Sequence, residues 1–410
     1  ELSNECHKKN LKLIKDLVLN HIGSEHWWMN DIPTKKWFNN HKSIKLSNER
    51  VESLNDPYAS KRDLYNYKNG WLEDNKPDLN QSNKYLSTYL IQNAIWWVEY
   101  ADLDGVRVPN FSYVDNKFLN KWSLELQKFY PNINIIADGN VYNKSSIGLM
   151  QKNSSEEEII DIPVLLNSKP TNISSLMDYP LQNAITNSFH ENDSKNENKI
   201  QFLYESLVDD YLYSDPNKMI VFLDNYNTKR VYSSLNYNLD NWKKALAYLL
   251  ITRGIPQIYY GSEILLSDRL GPGKITGCDL DFPGGWKSDK VNGFSGKGLN
   301  EEQVEAQIFS KKLLNWRLNN KVLHNGKLMH FAPALDELYC LVRYNKEKMV
   351  LLFLNNDDIN KTIDVRSYIN DIPLKSKQGI ALDFLEDKEM NIKDKINIEK
   401  NGFLIIEYFF

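Results

Sequence analysis

Short apolar runs alternate with helix-like segments over the first three quarters of the chain. In the helix-like segments apolar residues return every three or four positions, which is the spacing of one face of a helix. The runs between them are short and continuous, as in strands buried on both faces. The strand-like runs cover residues 11–19, 103–108, 133–138, 174–179, 219–225 and 255–261. The helix-like segments cover residues 85–100, 116–130, 200–211, 241–252 and 301–319.

Repeated strand and helix units predict a parallel sheet with right-handed crossovers, either a barrel or a doubly wound sheet. A closed barrel of this type needs eight strands. The chain offers six strand-like runs. If the sheet is a barrel, we expect the two remaining β-α units to come from sequence upstream of Glu1 or from a partner chain.

The pattern changes after residue 320. The segments LYCLVRY, KMVLLFLN, KTIDV, GIALDFL and GFLIIEYFF are short β-type runs separated by turn residues. They predict an all-β C-terminal domain over residues 321–410, with no helix between the strands. Residues 1–320 then form the larger domain, with an inserted subdomain at about residues 22–83. The polar stretch 191–198 predicts a mobile loop.

Composition excludes some functions and leaves others open. Lys and Arg total 50 against 54 Asp and Glu, for a net charge of −4, so no basic field for nucleic acid is expected. No run of about 18 apolar residues predicts a membrane-spanning helix. The 10 Trp and 23 Tyr suit sugar stacking, but equally a large aromatic core. Three scattered cysteines predict neither a disulfide framework nor a metal site.

Several stretches carry a family resemblance. They are DLVLNH (16–21), KPDLNQSN (76–83), ADLDGVRV (101–108), NINIIADGN (132–140), VFLDNYNTKR (221–230) and RGIPQIYYGSEI (253–264). In this order they resemble the α-amylase superfamily, glycoside hydrolase family 13, of the neopullulanase or cyclomaltodextrinase type. The resemblance implies an α/β fold: a (β/α)8 TIM-type barrel whose first two β-α units are absent from this chain. It also implies a small inserted domain after the third strand and a C-terminal antiparallel β-sandwich.

The positions that resemble the family's catalytic residues are altered. Retaining glycosidases use two carboxyl groups on either side of the scissile bond, and this family adds a third that binds the sugar. The nucleophile position is Pro109, the general acid position is Asp138, and the third carboxylate position is Asn227. Tyr226 stands where the family has a sugar-binding His. A proline cannot attack, so the sequence predicts that catalysis is lost.

Other residues match the family's sugar site or offer aromatic faces. Asn20, His21 and Arg107, with Tyr226, are vestigial sugar-site residues under this resemblance. Each also has a structural interpretation: Asn20 and His21 could hydrogen-bond the insert, and Arg107 could pair with Asp138 or another acid. Four tryptophans in loops are candidates for sugar stacking or for plain packing: Trp27, Trp28, Trp71 and Trp286.

The sequence thus predicts a catalytically inactive α-amylase-family homologue, acting with protein partners as a structural or interaction subunit of a larger assembly. One alternative is an α-glucan-binding protein that uses the vestigial cleft. Another is a weak or atypical glycoside hydrolase on α-glucans with relocated carboxylates. No cofactor is expected; calcium is an option that the family offers, without a clear ligand set. Family analogy alone suggests a periplasmic or cell-surface location.

Overall fold

The computed structural model describes residues 1–151, 171–190, 199–268, 280–333, 338–373 and 379–410. The loop predicted at 191–198 lies outside these residues. The chain packs as two compact units, Glu1–Asp178 with Tyr211–Ile220, and Tyr179–Asp210 with Val221–Phe410. The domain boundary near residue 321 stays a prediction. No helix among the described residues is both long and apolar enough to cross a bilayer.

The first unit is built on a parallel sheet with the order β1-β2-β3-β4. Its strands are β1 (Ile14–Asp16), β2 (Gly105–Pro109), β3 (Asn134–Asp138) and β4 (Ser175–Leu176). Its helices are α1 (Leu2–Lys8), α2 (Lys61–Asn69), α3 (Lys84–Ala101), α4 (Asn116–Phe129) and α5 (Lys144–Met150). The strand predicted over residues 11–19 is much shorter, because β1 pairs with β2 over only three residues.

Local sequence signals explain where the two long helices of this unit begin. Asn83 precedes α3 and its side chain accepts hydrogen bonds from the backbone of Tyr85 and Leu86. Asp115 caps α4 in the same way through the backbone of Phe118. Such caps satisfy donors that a helix N-terminus leaves unpaired. These caps set where α3 and α4 begin, and the two helices lead into β2 and β3, whose C-terminal ends carry the candidate site.

The helices of the second unit surround a long apolar core. Between its helices, β5 (Ile220–Phe222) and β6 (Ile255–Gln257) form a two-stranded sheet. Helix α10 begins with a reciprocal capping box between Asn300 and Gln303. The helices are α6 (Tyr179–Phe189), α7 (Gln201–Val208), α8 (Val231–Ser234), α9 (Leu239–Ile251), α10 (Glu301–Leu318) and α11 (Lys321–Asn325).

A six-stranded antiparallel sheet forms the end of the second unit, in the order β12-β11-β14-β9-β8-β7. A separate ribbon pairs β10 with β13. The strands are β7 (Lys327–Phe331), β8 (Leu338–Tyr344), β9 (Lys348–Asn355), β10 (Lys361–Ile363), β11 (Ile380–Asp383), β12 (Lys388–Met390), β13 (Ile396–Ile398) and β14 (Phe403–Phe409).

Both faces of this sheet are buried. Along β8, Tyr339 and Leu341 pack with the helical core that includes α9. The intervening Cys340 and Val342 pack into a second core on the other face. Successive side chains of a strand point to opposite faces, so a nearly continuous apolar run serves two cores at once.

One C-terminal prediction is wrong. The segment KTIDV was expected to be a strand with no helix nearby, but only Lys361–Ile363 is extended. Asp364 accepts a hydrogen bond from the backbone of Arg366 and starts helix α12 (Val365–Asp371). Val365 and Ile369, one turn apart, are buried. Two turns are too short for a helical period to be visible beside β-branched residues.

Candidate active site

Two carboxylates share one guanidinium at the C-terminal edge of the parallel sheet. Arg107 in β2 donates from Nη1 to Asp16 Oδ2 at 2.7 Å and from Nη2 to Asp138 Oδ2. Asp16 ends β1 and Asp138 ends β3, the two strands that flank β2. The Asp138 side chain is 1% exposed and that of Asp16 is 51% exposed. The predicted pairing of Arg107 with Asp138 is therefore confirmed.

Pro109 lies directly beside Asp138 in the strand register. It is the last residue of β2, and Asn110 turns the chain with a φ of 53° into a short 3₁₀ helix. A proline is compatible with this central strand because it stands at the strand's end, where the ladder stops. The two positions that the resemblance assigns to nucleophile and acid are thus neighbours, as paired chemistry requires.

A buried carboxyl joins the chain after β1 to the insert. Asp78 accepts a hydrogen bond from Asn20 Nδ2 at 2.7 Å and another from Asn39 Nδ2 at 2.8 Å. Burial raises the pKa of Asp78 to about 8, against the two amide bonds, which lower it. His21 forms a β-bridge with Asp78. Asp78 was missed in the sequence, where it is one acid within a polar motif.

The partly buried His21 should lower the free energy of unfolding at acid pH. Burial, with a smaller effect of Lys76, lowers its pKa to about 4. The unfolded imidazole gains its proton near pH 6.5, so the stability it contributes is complete above that pH and declines as pH falls towards 4. We expect a loss of about 3 kcal/mol over this window. Chemical denaturation of the protein and of His21→Gln at each pH measures it, and the variant should lack this decline.

The matched control for that prediction is His26→Gln, which should keep the decline. Asp78 acts in the opposite direction, because a raised carboxyl pKa means that stability falls as pH rises from about 4 to 8. That trend is common to all three proteins and cancels in their differences. An identical pH profile for His21→Gln and the unmodified protein would contradict the assignment.

The loop after β5 is held by a tyrosine. Within the second unit, Asn225 and Asn227 both direct Nδ2 to the hydroxyl of Tyr179, at 3.0 and 3.3 Å. The backbone N–H of Asn227 also donates to Asn225 Oδ1 at 2.8 Å. Tyr226 between them is partly exposed. The neutral amide at position 227 therefore has a structural role. Tyr179 was missed because nothing in its local sequence connects it to this loop.

Two further carboxylates, Asp102 and Asp224, brace the fold. Asp224 is buried and accepts from the backbone N–H of Val231 at 3.0 Å and from the hydroxyl of Ser262 at 2.7 Å. Burial raises its pKa to about 6. Asp102 ends α3 in a left-handed conformation and lies 3.2 Å from His7. These contacts leave Asp16 and Asp138 as the carboxylates that the first unit places at its strand ends.

The four candidate tryptophans divide into two pairs. Trp27 is 60% exposed and Trp286 is 64% exposed, so their rings are available to a sugar. Trp28 is buried edge-on against Trp37 and Tyr89. Trp71 is buried and donates from its indole nitrogen to the Asn39 carbonyl at 2.8 Å. Sugar stacking stays a prediction for Trp27 and Trp286 alone, because in this structure a sugar cannot reach the buried pair.

Comparison of the sequence with models of known families shows to which family the chain belongs. The family model described as the α-amylase catalytic domain matches residues 1–312, and that of the cyclomaltodextrinase C-terminal domain matches residues 328–407. The chain belongs to the α-amylase family. Solved structures that are similar to this chain include an α-amylase from Anoxybacillus, at 22% identity and a TM-score of 0.73 over 100% of this chain and 78% of that one. The predicted (β/α)8 barrel with a C-terminal β-sandwich is thus confirmed.

Relatives of this α-amylase-family chain carry enzyme names. A cyclomaltodextrinase from Thermoanaerobacter pseudethanolicus is 23% identical over 95% of this chain and 58% of the relative. Neopullulanase 2 from Thermoactinomyces vulgaris is 23% identical over 88% of this chain and 54% of the relative. The chain therefore spans between about half and three fifths of the length of these relatives.

These matches contradict the prediction of a catalytically inactive subunit. The family model that covers residues 1–312 is that of a catalytic domain, and the relatives are named as α-glucan enzymes. The sequence argument gave most weight to the altered motif positions Pro109, Asp138 and Asn227, and it kept a hydrolase with relocated carboxylates only as an alternative. The fold instead brings Asp16 to the same guanidinium as Asp138.

A metal site is not apparent in the part of the chain that the structure describes. There, no three His, Cys, Asp or Glu side chains come close enough together to hold an ion. The amide of Asn20, the residue behind the calcium option, is instead bonded to Asp78.

Proposed function

We propose that this chain is part of an enzyme that hydrolyses α-glucosidic bonds in glucans. The observation that carries the proposal is the cluster of Asp16, Arg107 and Asp138 at the C-terminal edge of the parallel sheet, in a chain of the α-amylase family. Barrel enzymes place their active sites at this edge, because loops there converge on the strand ends. The cluster supplies the two carboxylates that glycoside hydrolysis needs.

Asp138 and Asp16 are the proposed catalytic pair. Asp138 occupies the general acid position of the resemblance, and a hydrogen bond from Arg107 positions its carboxyl group. Asp16 is bound to the other amino group of the same guanidinium and is open to solvent. Pro109 cannot attack the sugar, so Asp16 takes the second role. One guanidinium holds the two carboxyls close together, and a spacing of about 5 Å is the geometry of retention.

The relatives' names indicate which glucans to test. They are named cyclomaltodextrinase, maltogenic α-amylase and neopullulanase. We therefore propose cyclodextrins, α-1,4-linked maltodextrins and pullulan as substrates, with α-glucan as the small-molecule partner of the cleft. Trp27 and Trp286, both exposed, are the proposed stacking residues.

The test is turnover on β-cyclodextrin, maltoheptaose, pullulan and soluble starch, measured as new reducing ends. We expect cleavage of at least one α-glucan and none of cello-oligosaccharides, whose β-linkages serve as the control. Proton NMR of the first product should show the α-anomer, as retention requires. The proposal fails if no α-glucan is cleaved above the blank. A β-anomer formed first would reject the Asp16 and Asp138 pairing as a retaining pair.

A further inference from the structure

The inserted segment contains a large cavity that the catalytic proposal does not use. Residues 32–45 line a cavity of about 830 Å³ in the first unit. Small-molecule sites span roughly 300–1,000 Å³, so this space fits a short oligosaccharide and is far larger than a single ion requires. It lies on one continuous segment of chain.

The charge of the lining is strongly one-sided. Lys35, Lys36, Lys42 and Lys45 line the cavity, whereas no Asp or Glu does. Within the described residues, none of these four ammonium groups makes an ion pair. The whole chain has a net charge of −4, so the excess of positive charge is local. A cavity lined by one sign of charge concentrates ligands of the opposite sign.

Two lining rings each have a nitrogen without a partner. Trp37 is 4% exposed and its Nε1 makes no hydrogen bond, and the buried Nδ1 of His41 makes none either. Buried polar atoms in proteins are nearly always paired. An indole N–H only donates, so the partner that Trp37 lacks is an acceptor. The His41 ring stacks on Phe38 with centroids 5.6 Å apart, which fixes its position.

The backbone of the segment is anchored, so the cavity is preorganised. The side chain of Asn40 donates to the Asn69 carbonyl at 2.6 Å, and Asn80 donates to the Lys36 carbonyl at 2.9 Å. Asn39 bonds Asp78, which in turn bonds Asn20 at the end of the β1 segment. These hydrogen bonds tie the segment that lines the cavity to the chain that follows β1, within one unit.

We propose that this cavity binds the phosphate group of a phosphorylated α-glucan. A phosphate monoester carries up to two negative charges and several acceptor oxygens, which the ammonium groups of the four lysines complement. The remaining volume accommodates the attached glucose units. The choice of a glucan rests on the proposed function, whereas the anion specificity rests on the cavity alone.

The experiment is isothermal titration of the protein with maltotriose bearing one 6-phosphate, with unmodified maltotriose and with inorganic phosphate. We expect the phosphorylated sugar to bind most tightly. Lys42→Glu/Lys45→Glu should weaken its binding by about tenfold or more, because two attractive charges become repulsive. The matched control is Lys117→Glu/Lys121→Glu on exposed positions of α4, which changes the net charge equally and should bind as the unmodified protein does.

Three outcomes would overturn the inference. They are equal binding of the phosphorylated and unmodified sugars, equal weakening by the control variant, and inorganic phosphate binding as tightly as the phosphorylated sugar. Binding and cleavage are measured in separate assays, so a failure of the cavity assignment is distinct from a failure of the proposed function. Cleavage of neutral α-glucans without phosphate preference would uphold the enzyme and reject the cavity assignment.

Discussion

Asp138→Asn is expected to lower α-glucan hydrolysis by at least about a hundredfold, the lower range of what a positioned acid or base contributes. The substitution keeps the size of the side chain and removes its charge and its ability to transfer a proton. Asp138 lies at the end of β3 beside Pro109 and bonds Arg107. The measurement is kcat and KM on the best α-glucan found, with circular dichroism to show that the variant is folded.

Asp371→Asn is the matched control for that result. Asp371 is an exposed acid at the end of α12, outside the first unit. The Asp371→Asn variant should keep the unmodified rate within about twofold, which corresponds to about 0.4 kcal/mol in barrier height. A folded Asp138→Asn variant that turns over at the unmodified rate would remove Asp138 from the mechanism.

Arg107→Ala is expected to destabilise the first unit by about 3–5 kcal/mol, because it leaves the buried Asp138 carboxylate without its cation. The backbone N–H of Asn140 donates a longer hydrogen bond, of 3.4 Å, to Asp138 Oδ1. Urea denaturation followed by fluorescence measures the effect. The double variant Arg107→Ala/Asp138→Asn should recover part of the loss, since the neutral amide removes the unpaired charge.

Asp16→Asn separates the two halves of this cluster. Asp16 is half exposed, and an exposed ion pair contributes less than about 1 kcal/mol. Its loss should therefore change stability little while reducing turnover. If Arg107→Ala and Asp16→Asn destabilised the protein equally, the buried pair with Asp138 would not be the stabilising half.

The helix and strand pattern of the chain could be predicted from periodicity wherever the elements were long or fully buried. Helices α3 and α10 appear within two residues of their expected bounds, because apolar spacing and polar caps agree there. Helix α12 was missed because two turns carry too little pattern. Pairing of Arg107 with Asp138 was expected from the family resemblance, which places both residues at the sugar site.

The remaining features of the site depend on contacts between distant parts of the sequence. Asp78 reaches Asn20 across 58 positions, and Tyr179 reaches Asn225 across 46. The residues around each position contain no pattern that predicts such a distant hydrogen-bond partner. The second carboxylate on Arg107 was also missed, because Asp16 stood in a family motif and was not considered beside Asp138. The error about activity came from treating single altered positions as the whole of the chemistry.

The C-terminal sheet separates two hydrophobic cores and contributes side chains to both. Its strands β8 and β9 present alternate side chains to the helical core and to the second core, so each core is closed by the same backbone. Removing the strands would expose the apolar face of α9. A substitution that disrupts packing on one face of the sheet would also disturb the other face, because both depend on the same backbone hydrogen bonds. The sheet and the helices that pack against it should accordingly unfold together in thermal denaturation.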